Sequence, residues 1–121
     1  AVTRAEIIVI SISSQGLRGF VERILAYDVS GKDFVLCMKG IEVATGDRLS
    51  QVLAGAGISP EHIAVWVGPG HIQAFTQGIP NCMVIDSASE TLKKRLADNF
   101  KSELIRFHKL SEEGKRVNRL C

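Results

Sequence analysis

The chain has 121 residues, enough for one domain of ordinary size. Hydrophobic residues make up 45% of it and charged residues 23%, which is typical of a globular domain and excludes an intrinsically disordered or collagen-like chain. Its apolar runs are far shorter than the roughly 20 residues that span a bilayer, so we expect no membrane-spanning segment and no membrane partner.

The charges are unevenly distributed, although the formal net charge is only +2. Residues 93–119 contain nine basic and four acidic side chains, whereas residues 1–92 contain six basic and nine acidic ones. A basic segment can bind nucleic acid, but acidic residues interleaved with it are more typical of a solvated helix face. We therefore predict a solvated face and no nucleic-acid partner.

The three cysteines, Cys37, Cys82 and Cys121, form no Cys-x-x-Cys pair and have no metal-ligand spacing with the histidines. Two of them lie in apolar, strand-like runs, where a free cysteine behaves as a small hydrophobic residue. The pattern predicts free thiols, no metal site and a reducing, cytoplasmic compartment.

Short β-branched runs alternate with helical repeats along the first half of the chain. Residues 7–10 predict a buried strand, followed by a helix that Ser13 or Ser14 caps and whose apolar stripe packs on a sheet. Residues 34–38 predict a second strand. Asp47 opens a second helix, which two glycines weaken and then end.

The same alternation continues in the second half. Residues 63–67 predict a third strand, followed by a short helix with Ile72 and Phe75 facing inward. Residues 81–85 predict a fourth strand. Ser87 and Glu90 have the spacing of a capping box that opens another helix, and residues 104–107 predict an edge strand.

Strands that alternate with helices of 8 to 15 residues form βαβ units, which require a parallel sheet with helices on both faces. The sequence therefore predicts the α/β class. Ligands of such sheets bind beyond the carboxyl ends of the strands, so we expect the functional side chains to follow those ends.

Lys39 is the strongest candidate for a ligand-binding residue at these strand ends. It follows a fully apolar strand, and Gly40 removes a side chain where a ligand would approach the backbone. A lysine here can hold a phosphate or carboxylate, or polarise a carbonyl oxygen. The alternative is an ordinary strand-end lysine that reaches solvent.

The segment Gly68-Pro69-Gly70 leads from the third strand into a short helix, so its amide groups could face an anion. Gly-Pro-Gly alone is a weak signal, and a plain tight turn is the simpler interpretation. His71 could transfer a proton, although a histidine here is more often a surface residue. Ser14 offers a hydroxyl at the first strand end, where a helix cap is the simpler interpretation.

In order and spacing, these segments resemble the bacterial type of the NAD(P)-dependent glycerol-3-phosphate dehydrogenase family. Residues 14–18 resemble its Val-Pro-Ser-Gln-type strand end, and residues 39–42 its Thr-Lys-Gly-Ile-Glu segment. Residues 68–71 resemble its Gly-Pro-Ser-Phe or Gly-Pro-Ser-His segment, and residues 78–80 its Gly-Leu-Pro. The resemblance extends to about Phe107.

The resemblance implies site residues and roles. Lys39 would contact both the nicotinamide cofactor and a glycerol phosphate substrate, and Gly68 and Gly70 would line the substrate site. Ser14 and Ile72 would contact the cofactor, NAD or NADP. Gly70 lacks the small hydroxyl side chain of the family, and Ile72 is bulkier than its usual alanine.

The resemblance also implies a fold and an activity. Residues 1–121 would be the C-terminal part of a Rossmann-type domain with a mostly parallel sheet. The glycine-rich first strand and the helical catalytic domain, with its proton-transferring lysine, would lie outside them. The whole enzyme would interconvert sn-glycerol 3-phosphate and dihydroxyacetone phosphate with NAD(P)H, for glycerophospholipid synthesis. A 2-hydroxy acid or 6-phosphogluconate substrate is a weaker alternative.

From these missing parts we expect residues 1–121 alone to be inactive. Their exposed sheet edge predicts a homodimer or another form of self-association. The alternative function is a non-catalytic α/β module that binds a nucleotide or a protein partner.

Overall fold

The computed structural model describes residues 1–69 and 71–109. These residues form five strands: β1 (Ile7–Ile10), β2 (Asp33–Leu36), β3 (Ile63–Val67), β4 (Asn81–Ser87) and β5 (Ile105–Lys109). The α-helices are α1 (Leu17–Ile24), α2 (Leu49–Gly55), α3 (Ile72–Thr76) and α4 (Glu90–Phe100). Single turns of 3₁₀ helix, Ser14–Gly16 and Pro60–His62, precede α1 and β3.

The strands form one sheet in the order β1-β2-β3-β4-β5. The pairings β1–β2, β2–β3 and β4–β5 are parallel, whereas β4 runs antiparallel to β3. The predicted α/β class with a mostly parallel sheet is therefore confirmed. Strand β4 is antiparallel because the connection through α3 does not carry the chain back to the amino ends of the parallel strands. The chain therefore enters β4 at the end of the sheet where it leaves β3.

Strand β2 is buried along its whole length and contributes to the core on both faces of the sheet. Phe34 and Leu36 belong to the larger cluster, together with buried residues of α1 and α2. Val35 belongs to the smaller cluster on the other face, with Leu92 and Leu96 of α4. Helices thus cover both faces, and the apolar run of β2 is typical of a strand with no solvent-facing side.

Aromatic packing fixes α4 and β5 to the smaller cluster. The Trp66 ring lies edge-on to Phe107, with ring centroids 4.8 Å apart, and is tilted against Phe100 at 5.6 Å.

Among the described residues, no helix is long and apolar enough to cross a membrane.

The predicted helix starts are wrong in three places. The 3₁₀ turn Ser14–Gly16 precedes α1, so the N-cap residue of α1 is Gly16 and neither Ser13 nor Ser14 caps this helix. Arg48, not Asp47, is the N-cap of α2. In α4, Ser89 accepts a hydrogen bond from the Leu92 amide at 3.2 Å, because the Ser87 hydroxyl, predicted as the cap, instead donates to a carbonyl of β3.

Two predicted environments are also wrong. Ile72 is 79% exposed and does not face inward, because α3 lies beyond the end of β3, outside both core clusters. Lys93, counted with the solvated basic face, is fully buried and pairs with Glu90 at 2.5 Å. The part of the basic segment beyond Lys109 lies outside the described residues.

Candidate functional site

The carboxyl ends of β1, β2 and β3 lie along one edge of the sheet, because these strands are parallel. Ile10 pairs with Leu36, and Leu36 with Val65, so the chain leaves the three strands at a similar level. The predicted site residues follow these ends. The antiparallel β4 begins at the same edge.

Lys39 is exposed just beyond the buried strand β2. Gly40, which follows it, has φ +113°, a conformation that residues with a side chain rarely adopt. A Cβ atom at Gly40 would lie 3.8 Å from the Ser14 Oγ, so the first two strand ends approach each other here. The result is a cationic side chain on a turn whose backbone can approach a ligand closely.

Gly68 ends β3 against the start of β4. A Cβ atom at this position would lie 2.5 Å from the Met83 Sδ and 3.1 Å from the Cys82 carbonyl oxygen. Packing therefore favours glycine at this position, independently of any substrate. Gly70 lies outside the described residues, and the predicted cofactor contact Ile72 presents an open apolar surface.

The Gln15 side chain links the first two strand ends. Its Nε2 donates to the Ser14 Oγ at 3.1 Å and to the Ile41 carbonyl at 2.9 Å. Its Oε1 accepts from the Val43 amide at 2.9 Å. One amide side chain therefore binds both sides of the peptide segment that follows Gly40.

Glu42 is a buried carboxylate beside this link, with 6% of its surface exposed. Arg18 of α1 binds both carboxylate oxygens, Nε to Oε1 at 2.8 Å and Nη2 to Oε2 at 2.6 Å. The Thr45 hydroxyl also donates to Oε2, at 2.6 Å. Two hydrogen bonds, a stronger one from Arg18 and a weaker one from Thr45, lower the pKa of Glu42 to about 2. This carboxyl is therefore ionised at neutral pH.

Two carboxylates of the described residues are buried, and the sequence does not distinguish them from surface charge. One is Glu42, and the other is Asp33, the first residue of β2, which is 5% exposed. The Asp33 carboxylate contacts the His62 Nδ1 and the Arg95 Nη2, both at 2.7 Å. Neither pair leaves a local sequence signal, because the partners are more than twenty residues apart in the chain.

His71 is exposed and is the N-cap residue of α3, without a side-chain capping bond. Cys37 and Cys82 are free thiols, as predicted, and burial raises the pKa of Cys37. Within residues 1–69 and 71–109, no group of three or more His, Cys, Asp or Glu side chains is placed to hold a metal ion. Lys39 and the exposed backbone beside it are thus the groups suited to hold an anion.

The sequence of the chain matches a known protein family and its curated members. Residues 1–93 match the family described as NAD-dependent glycerol-3-phosphate dehydrogenase N-terminus. The chain is 33% identical over 109 residues to a glycerol-3-phosphate dehydrogenase [NAD(P)+] of Pelodictyon phaeoclathratiforme, covering 88% of this chain and 33% of the relative. It therefore spans about a third of the length of the curated relatives it matches.

Solved structures show the same fold. A glycerol-3-phosphate dehydrogenase of Coxiella burnetii superposes with a TM-score of 0.74 at 17% identity, covering 88% of this chain and 32% of that one. One of Plasmodium falciparum superposes with a TM-score of 0.80 at 11% identity, covering 91% and 31%. The predicted Rossmann-type fold is thus confirmed. Since the family match covers more than half of the sequence, the chain belongs to the NAD-dependent glycerol-3-phosphate dehydrogenase N-terminal family.

Proposed function

We propose that this chain is part of an enzyme that interconverts sn-glycerol 3-phosphate and dihydroxyacetone phosphate with NAD or NADP. The observation that carries the proposal is the position of Lys39. It is an exposed cation beyond a fully buried strand, within the region that matches the family. A dehydrogenase acting on a phosphorylated carbonyl compound needs a cation of this kind.

In this proposal, the described residues would contact one end of a dinucleotide and a small phosphorylated substrate. Because Gly40 has no side chain, space is left beside the Ser14 hydroxyl. Ile72 offers an exposed apolar surface to a ring of the cofactor. When bound, the nicotinamide cofactor supplies or accepts the hydride. Lys39 would hold the substrate phosphate and stabilise negative charge that develops on the substrate oxygen. The backbone of Gly68 and Gly70 would line the substrate site.

Residues 1–121 would supply the C-terminal part of the dinucleotide-binding domain. The glycine-rich strand, the helical domain and the proton-transferring lysine would come from chain outside these residues, in keeping with the third of the relatives' length that they span. The enzyme would act in the cytoplasm and supply glycerol phosphate for glycerophospholipids. Among the described residues β1 has a neighbouring strand on one side only, which supports pairing of residues 1–121 alone with a second copy.

The test is oxidation of NADH or NADPH by dihydroxyacetone phosphate. The protein encoded by the complete reading frame is compared with its Lys39→Ala variant and with residues 1–121 alone. We expect turnover by the complete protein and a loss of about a hundredfold in kcat/KM in the variant, roughly 2.7 kcal/mol of transition-state stabilisation. We expect no turnover by residues 1–121.

A Lys94→Ala variant is the matched control, since Lys94 is an exposed lysine of α4 and follows none of the strand ends that carry the proposed site. Equal activity of the Lys39→Ala variant and the parent would exclude the assigned role of Lys39. A folded complete protein without turnover would contradict the enzyme proposal, and a non-catalytic nucleotide- or partner-binding module would then be the better description.

A further inference from the structure

The turn that carries Lys39 is held from both sides. On the side of the sheet, the Cys37 amide donates to the Ile10 carbonyl at 3.0 Å, which extends the β1–β2 pairing beyond Leu36. On the other side, Gln15 holds the Ile41 carbonyl and the Val43 amide. Lys39 and Gly40 therefore occupy a short span between two fixed points.

Glu42 anchors the same span to α1. Its side chain accepts two hydrogen bonds from Arg18, and its amide and carbonyl close a small loop through Asp47 and Gly46, each bond 2.8 Å long. A charge buried to this degree is costly unless it is paired and fully hydrogen-bonded, and here both oxygens have partners. The paired charge fixes the loop in one position relative to α1.

The Lys39 side chain has no such restraint of its own. It is exposed, and among the described residues it has no hydrogen bond or ion pair. Its ammonium group therefore depends on the backbone of the turn for its average position. Misplacement of a catalytic group by about 1 Å can cost a hundredfold in rate.

We propose that Gln15, Arg18 and Glu42 are positioning residues, which act through the turn to fix the site of the Lys39 ammonium. This inference rests on the proposed function for its catalytic consequence and on the hydrogen bonds above for its structural part. None of the three needs to touch substrate or cofactor.

The structural part is tested first, by ¹⁵N relaxation and amide exchange on residues 1–121. We expect Gln15→Ala and Glu42→Gln to lower the order parameters of Gly40 and Ile41 and to speed exchange of the Val43 amide by about tenfold or more. The matched control is Ser102→Ala, because the Ser102 Oγ also accepts backbone amide bonds, from Leu104 at 3.2 Å and Ile105 at 3.1 Å, beside β5 and away from the turn. Unchanged dynamics in both variants, with the parent fold retained, would overturn the proposal.

The functional part is a double-mutant cycle on the complete protein, read as the dissociation constant of sn-glycerol 3-phosphate in an NMR titration. We expect Glu42→Gln to weaken binding by about tenfold in the parent and by less than about twofold in a Lys39→Ala background. Equal losses in both backgrounds would mean that Glu42 stabilises the fold without acting through Lys39, and would overturn the inference.

A Glu42→Asp variant keeps the charge and is expected to recover part of the lost affinity. If the parent neither binds nor turns over substrate, the proposed function fails. The relaxation data then decide separately whether the three residues position the turn, so the two failures are distinguishable.

Discussion

Gly68 illustrates how tightly single residues determine the strand-end geometry. An added methyl group would meet the Met83 Sδ at 2.5 Å and the Cys82 carbonyl oxygen at 3.1 Å. The thioether can move, but the backbone oxygen belongs to the paired strand β4. We therefore expect Gly68→Ala to lower the free energy of unfolding by about 1–3 kcal/mol, measured by urea denaturation.

The control is Gly16→Ala, since a Cβ atom at Gly16 has no neighbour within 4 Å and its φ of −87° suits alanine. Equal stability of the Gly68→Ala variant and the parent would show that β4 moves aside at little cost. Loss of substrate binding without loss of stability would instead favour a direct role of Gly68 in the site.

At this scale the sequence predicts individual residues but not their partners. Lys39 and Gly40 can be predicted as site residues from the sequence, because they directly follow an apolar run. The Arg18–Glu42 pair is not, because an arginine in a helix and a glutamate in a loop carry no signal that they meet. The exposure of Ile72 also escapes prediction, since its helical spacing is the same as that of a core residue.

At the scale of elements, the start of α4 depends on one hydroxyl. The Ser89 Oγ accepts from the Leu92 amide at 3.2 Å, which satisfies one of the free amides of the first turn. We expect Ser89→Ala to destabilise the chain by about 1 kcal/mol in thermal or urea unfolding. Ser59→Ala is the control, because Ser59 precedes the 3₁₀ turn Pro60–His62 without a side-chain capping bond.

A larger loss in Ser59→Ala than in Ser89→Ala would refute this assignment of the cap. The capping-box spacing of Ser87 and Glu90 locates the start of α4 to within a few residues. It misplaces the cap at Ser87, because spacing along the chain does not show that the Ser87 hydroxyl donates to the Ile63 carbonyl.

For the molecule as a whole, the two sheet edges differ in chemistry. Strand β5 carries three basic or ionisable side chains, Arg106, His108 and Lys109, whereas β1 is entirely apolar and Val9 is 48% exposed. Charged side chains on an edge strand oppose pairing with another chain, and apolar edges permit it. We expect residues 1–121 to self-associate through β1, as measured by size-exclusion chromatography with light scattering.

A Val9→Lys variant is expected to shift this equilibrium to monomer. Val43→Lys, at a loop position with 80% exposure, is expected to leave it unchanged. A parent chain that is monomeric at all concentrations tested would contradict the proposed pairing.

Alternation of strands and helices is enough to predict the class of the whole molecule. The predicted burial of residues 7–10 is wrong, because β1 is an edge strand and Val9 is 48% exposed. The alternation does not predict that β4 reverses direction, because the 13 residues between β3 and β4 are compatible with either a crossover or a return. The short, exposed helix α3 settles the choice in the structure, since it covers neither face of the sheet.

The burial of β2 on both faces also has a consequence for folding. Its alternate residues are shared between the two core clusters, and Asp33 at its start joins His62, on the turn before β3, to Arg95 of α4. Because β2 contributes buried residues to both clusters, we expect the two clusters to unfold together with β2. The sheet is therefore expected to open in one cooperative step, with β2 among the last backbone amides to exchange.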